Sequence, residues 1–172
     1  DLAPLLDSDP KIKVAVYNEL GQLGFIRFNF LYPPFNNPQV RRAVLLGINQ
    51  KEFLDGLVGN PKYYSICLSV YSCGSPYETN VDVPTFNLNE AKKVLKASGY
   101  DGAPIVQFHA TNSATIGPLS EVLTRALRNI GFNGVQTVSN LRRDAMIGAL
   151  KRFAAEAEGA DWAVIYYAGH GI

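Results

Sequence analysis

Four side chains carry the most reactive chemistry in this sequence: its only cysteines, Cys67 and Cys73, and its only histidines, His109 and His170. The cysteines lie six positions apart in a Ser- and Tyr-containing segment that runs on to Cys73-Gly74-Ser75-Pro76. That spacing can close a small disulfide loop, as suits an oxidising compartment. The alternative is two unpaired thiols in a half-buried segment, where cysteine is commonly found; the spacing favours the disulfide. Zinc needs four ligands, and neither histidine has a partner motif nearby, so no metal site is expected, and no cofactor.

These groups must be positioned by a chain of 172 residues, room for one ordinary domain. With 47% hydrophobic and 18% charged residues it can bury a core. Sixteen Lys and Arg against fifteen Asp and Glu leave a formal charge of +1. This excludes the broad basic footprint of a non-specific binder of nucleic acid or anionic membrane. No apolar run approaches the roughly 20 residues of a transmembrane helix. The chain opens at Asp1 with no initiator Met or signal-peptide pattern, and stops at Ile172 within a motif; both ends read as cuts.

Residues 12–17 and 25–30 alternate apolar and polar as strands do, and Pro33-Pro34 ends the second run. Asn37-Pro38 reads as a helix start, with Val40, Ala43, Val44 and Ile48 on one stripe. Arg41 and Arg42 fall off that stripe and are expected to face water. A shorter helix spans 51–57. Residues 62–82, rich in Tyr, Ser, Gly and Pro, form a loop of a length that is usually functional or stapled. Asn87 caps a helix closed by Gly99, and 104–110 is a strand. Residues 118–130 form the clearest helix, its face built from Leu119, Val122, Leu123, Ala126, Leu127 and Ile130, with Gly131 as the stop. A short strand at 135–138, a helix that Asn140 caps, and an apolar strand at 162–167 complete the order. The fold class is therefore α/β: a mixed sheet with a parallel βαβαβ C-terminal half, flanked by helices, in a single domain.

The run Phe28-Asn29-Phe30-Leu31-Tyr32-Pro33-Pro34-Phe35-Asn36-Asn37-Pro38-Gln39-Val40-Arg41-Arg42-Ala43 resembles the signature of family 5 extracellular solute-binding proteins. The resemblance continues through Gly59-Asn60-Pro61-Lys62-Tyr63, Cys73-Gly74-Ser75-Pro76, the helix from Ala91 to Tyr100, and Leu127-Arg128-Asn129-Ile130-Gly131-Phe132. It spans residues 1–133 and implies part of the second lobe of a bacterial ABC importer's peptide-binding component. Implied with it are a periplasmic or extracellular location, a peptide or other small solute as ligand, and an importer membrane component as partner. With the first lobe missing, transport competence of this segment alone is not expected. The Tyr- and Ser-rich loop would supply contacts to a peptide, although Tyr63, Tyr64 and Tyr71 also fit packing roles, and Asn29 local backbone bonding. No individual ligand-binding residue is assigned.

Residues 134–172 depart from that pattern. The helix from Asn140 to Phe153, then Gly159-Ala160-Asp161-Trp162-Ala163 and Tyr166-Tyr167-Ala168-Gly169-His170-Gly171, resembles the caspase-like, metacaspase-related peptidases. The resemblance places His170 at the catalytic-histidine position, where an imidazole past a buried strand can orient proton transfer from a thiol. Such enzymes carry the nucleophilic Cys roughly 50 residues further on, and none follows His170 here, so His170 is expected to be inactive. The segment is expected to pack on the same sheet as residues 1–133. Three functions follow: a partial or rearranged peptide-binding lobe, a cysteine-peptidase fragment with the His but no nucleophile, or a fusion product without activity.

Overall fold

The computed structural model describes residues 2–15, 17–18, 20–109, 113, 116–138 and 142–156. The elements, in chain order, are α1 (Ala3–Asp7), α2 (Pro38–Gly47), α3 (Gln50–Leu57), a 3-10 turn (Pro61–Tyr63), α4 (Leu88–Ala97), β1 (Ile105–Phe108), α5 (Ile116–Ile130), β2 (Val135–Val138) and α6 (Arg143–Glu156).

Local chemistry explains where three of the helices begin. Asn37 precedes Pro38 with extended backbone, and its carboxamide oxygen accepts the Gln39 N–H at 2.8 Å. Asn49 does the same for Lys51 at 3.1 Å, and Asn87 for Glu90 at 3.0 Å. The Asn37 amide also donates to the Ser98 C=O at 3.0 Å, which ties the start of α2 to the end of α4. Gly99 and Gly131 carry positive φ where α4 and α5 stop, a conformation that costs glycine little.

The core gathers the apolar stripes of α2, α4 and α5 around Phe132: Val40, Ala43, Val44 and Leu46 from α2, Ala91 and Leu95 from α4, Leu127 and Ile130 from α5. Gly47 lets α2 approach α5 closely, since a Cβ there would lie 2.3 Å from Ile130 Cγ1 and 3.2 Å from Ala91 Cβ. The aromatic layer is continuous. Phe28 meets Phe35 at 4.8 Å between centroids, and Phe35 and Tyr100 meet Phe132 at 6.1 and 5.0 Å. Burial, with Asp101 beside it, pushes the Tyr100 phenol up to about 12, and its O–H donates to the Ala103 C=O.

β1 and β2 pair in parallel, Ile105 opposite Val135 through Phe108 opposite Val138, with α5 as the crossover. Gln107, buried on β1, has both ends of its amide satisfied: Nε2 donates to the Ser120 C=O and Oε1 accepts from Thr124 Oγ1 at 3.1 Å.

The mixed sheet expected from the sequence is thus, among the described residues, this parallel pair alone. Residues 12–15 and 25–29 are not strands. The period of two in 25–30 is only partial, since Phe28 packs inward and Phe25 is 78% exposed, while Phe30, which would share Phe28's face, is 63% exposed. No ladder partner lies beside it among the described residues, and alternation without a partner does not make a strand. The strand expected over 162–167, the Asn140 cap and His170 lie outside the described residues.

Candidate functional site

The loop between the 3-10 turn and α4 is tied down at several points. Cys67 and Cys73 form a disulfide, with Cα atoms 5.7 Å apart. Gln50, the first residue of α3, donates from Nε2 to the Cys67 C=O at 2.8 Å and accepts the Cys67 N–H on Oε1 at 2.6 Å. Ser69 Oγ accepts the N–H groups of Tyr71 and Thr79 at 3.2 and 3.1 Å. The Glu78 carboxylate accepts the N–H of Gly74, whose φ is 82°. The Tyr71 and Tyr77 rings pair at 5.8 Å and remain exposed.

Two carboxylates anchor the start of this loop. Asp55 on α3 takes the Lys51 ammonium at 2.6 Å and the Tyr64 hydroxyl at 2.5 Å. Its carboxyl is held below the usual range by Lys51 first and Tyr64 second, and in return the Lys51 ammonium and the Tyr64 phenol move up. Asp7, at the end of α1, accepts from the Tyr63 hydroxyl and from Lys62 Nζ at 2.9 Å. Those bonds lower its carboxyl, Tyr63 contributing most, and raise Lys62. The anchors are solvent-accessible, so they fix geometry more than they add stability. Tyr63 and Tyr64 are therefore tethers, while Tyr71 and Tyr77 are displayed.

Two concavities lie elsewhere. One of about 470 Å³ is lined along α5 by His109, Glu121, Thr124, Arg125, Arg128 and Asn129. The other, of about 530 Å³, is lined by Arg42, Asp82, Glu90 and neighbouring residues. Arg41 corrects its sequence reading. It folds back and donates to the C=O groups of Phe35 and Asn36 at 2.6 and 3.1 Å, bracing the turn before α2 rather than facing water. Asn29 Oδ1 accepts the Leu31 N–H, a local backbone role. Among the described residues no group of three His, Cys, Asp or Glu side chains could hold a metal, and no helix is long and apolar enough to cross a membrane.

The arrangement is a loop held in shape, with Tyr71 and Tyr77 on display. Gln50, Asp7 and Asp55 are the residues sequence reasoning missed, because nothing in local spacing links them to the loop they hold.

Residues 1–146 match the model of the bacterial extracellular solute-binding proteins, family 5 Middle. The chain belongs to this family. The match takes in β2 and the first turn of α6. Over 137 residues the chain is 33% identical to a probable peptide ABC transporter periplasmic-binding protein of Sinorhizobium fredii, covering 77% of this chain and 26% of that protein. It is 24% identical over 118 residues to the peptide transport periplasmic protein SapA of Salmonella typhimurium, covering 66% of this chain and 20% of SapA. In fold it resembles the ABC transporter substrate-binding protein CtaP of Listeria monocytogenes, with a TM-score of 0.54, 21% identity, and coverage of 76% of this chain and 26% of that one. The agropinic acid complex of AgaA from A. tumefaciens gives a TM-score of 0.53 at 17% identity, covering 80% and 26%. The chain spans a fifth to about a quarter of the length of these relatives.

The staple of the loop can be tested directly. Closing a loop of this size removes about 2 kcal/mol of chain entropy from the unfolded state. A variant with Cys67→Ser and Cys73→Ser is expected to lose about that much stability in urea denaturation. An unchanged midpoint would show that the bond holds the loop without stabilising the fold.

Proposed function

We propose that this chain is a partial peptide-binding lobe of a periplasmic or extracellular solute-binding protein serving an ABC importer. It contributes one wall of a ligand cleft and is not competent for transport alone. The observation that carries this reading is the stapled loop, whose backbone is fixed by Gln50 and the Cys67–Cys73 bond and whose Tyr71 and Tyr77 stand exposed. Exposed tyrosines on a pre-shaped loop supply contact area at low entropic cost. Family membership and the similarity to peptide-transport proteins of Sinorhizobium and Salmonella support a peptide as the ligand and an importer's membrane component as the partner.

The test is calorimetric titration of the chain with trialanine and tetraalanine. Saturable heat with a dissociation constant no tighter than micromolar is expected, because a single wall leaves much of the peptide in water. Heats no larger than dilution at millimolar peptide would end the reading. A second reading attaches to residues 134–172, supported by the motif that ends in Gly169-His170-Gly171: a caspase-like strand-helix-strand segment. Cleavage of Arg- or Lys-based fluorogenic substrates would favour it over the binding lobe.

A further inference from the structure

Asn133-Gly134 is the one place in this sequence where an asparagine precedes a glycine. It lies in the turn between α5 and β2, with Asn133 exposed. An asparagine carboxamide carbon is within reach of the backbone nitrogen of the next residue, and a bond between them closes a five-membered imide. Three things keep them apart in most folds: a side chain on the following residue, a hydrogen bond that occupies its N–H, and one that pins the carboxamide. None applies here. Gly134 has no side chain, and among the described residues neither its N–H nor the Asn133 carboxamide has a hydrogen-bond partner.

The residues on either side are fixed. Phe132 is fully buried, and its N–H donates to the Leu127 C=O at 3.1 Å. Gly134 lies so close to Pro104 that a Cβ would meet the proline Cα at 2.6 Å. Its C=O accepts the Ile105 N–H at 2.9 Å, the bond that opens the parallel pair just before Ile105 meets Val135. The span from Phe132 to Gly134 therefore fits a main chain of normal length and has no room to lengthen.

We propose that Asn133 is a site of spontaneous deamidation, and that its isoaspartyl product releases the entry to the β1–β2 pair. Base in solution takes the Gly134 amide proton, and the nitrogen attacks Asn133 Cγ. The Cγ–Nδ2 bond breaks, and ammonia leaves with a proton returned by solvent. Water then opens the imide. Addition at Cγ breaks the new bond and leaves aspartate on an unchanged main chain. Addition at the main-chain carbonyl breaks the original peptide bond instead, so the chain runs on through Cβ and Cγ and is longer by one methylene. Water is the co-reactant, nothing is oxidised or reduced, and both products gain a negative charge. The inference is independent of the peptide-binding reading.

The test incubates the full chain at mildly alkaline pH, folded and in urea, and follows the peptide that holds residues 133–134 by mass. The folded chain is expected to exchange NH2 for OH at Asn133 at a rate within about tenfold of the unfolded one, whereas a fold that had to open globally first would be slower by about a thousandfold or more. Asn133→Gln, whose ring would be six-membered, should stay unmodified over the same time in both. In the isoaspartyl fraction the Ile105 amide is expected to exchange at least about tenfold faster than in fresh protein. Asn133→Asp, which has the charge without the extra methylene, should keep the protection of fresh protein. Deamidation of the folded chain more than about tenfold slower than in urea overturns the site. An Ile105 amide equally protected in the isoaspartyl fraction overturns the release. Loss of that protection in Asn133→Asp assigns the effect to charge and overturns the release too.

Discussion

Phe132→Ala is expected to lower the free energy of unfolding by about 3–5 kcal/mol, the range for truncating a fully buried aromatic ring. Phe132 is 0% exposed and heads the largest fully buried side chains. It is the residue on which separate parts of the chain converge: Phe35 from the turn before α2, Tyr100 from the loop after α4, and the apolar faces of α2, α4 and α5. Its backbone is anchored too. Gly131, at φ 122°, turns the chain out of α5, and the Phe132 N–H reaches back to the Leu127 C=O at 3.1 Å. The neighbours are thus held from several directions and collapse poorly into the space an alanine would leave. Folded domains have about 5–15 kcal/mol in hand, so this loss is a large share of the whole. Urea denaturation followed by tyrosine fluorescence measures it. Phe132→Leu, which keeps most of the volume, should recover more than half of the loss. A loss below about 1 kcal/mol for Phe132→Ala would mean that the site relaxes freely.

Gly134→Ala is expected to cost about 2–3 kcal/mol or more by overpacking. A Cβ at Gly134 would lie 2.6 Å from Pro104 Cα and 2.7 Å from Pro104 Cβ. Neither atom can swing aside, because one is backbone and the other is locked in the proline ring. The conflict sits where the parallel pair begins, since the Ile105 N–H donates to the Gly134 C=O at 2.9 Å just before Ile105 meets Val135. Relief by separation would break that bond and loosen the entry to both strands. Thermal unfolding and amide exchange at Ile105 are the measurements. A variant with wild-type melting temperature and a protected Ile105 amide would show that Pro104 and its strand shift without penalty. The clash, not a special φ, is what requires glycine here, as Gly134 has no positive φ.

These sites show what could be read before the structure and what could not. The caps Asn37 and Asn87 were legible because a cap acts on an N–H two or three residues away. The α5 face was legible because helical periodicity is local, and of its six apolar residues Val122, Ala126, Leu127 and Ile130 are buried. The loop at 62–82 was visible from its composition, but what holds it was not. Gln50 lies 17 residues from Cys67 and Asp7 lies 56 from Tyr63, and local composition does not encode which distant residue will meet the loop. Arg41 was misjudged for a similar reason: off the apolar stripe it had no assigned partner, and only the fold of the preceding turn brings two carbonyls to it.

The sequence by itself determined the family, through ordered motifs along the chain, together with the starts of α2 and α4, the ends of α4 and α5, and the β1–α5–β2 unit. These rest on chemistry acting within a few residues, or on residue identities that can be matched position by position. Only the tertiary structure decided that residues 25–29 stay outside the ladder among the described residues, that Phe132 centres the core, and that Gln50 clasps the Cys67 backbone. Those outcomes depend on which distant groups meet. A strand needs a partner, a core needs facing stripes and a loop needs a clasp, and chain folding supplies each of them across separations that periodicity and composition do not span.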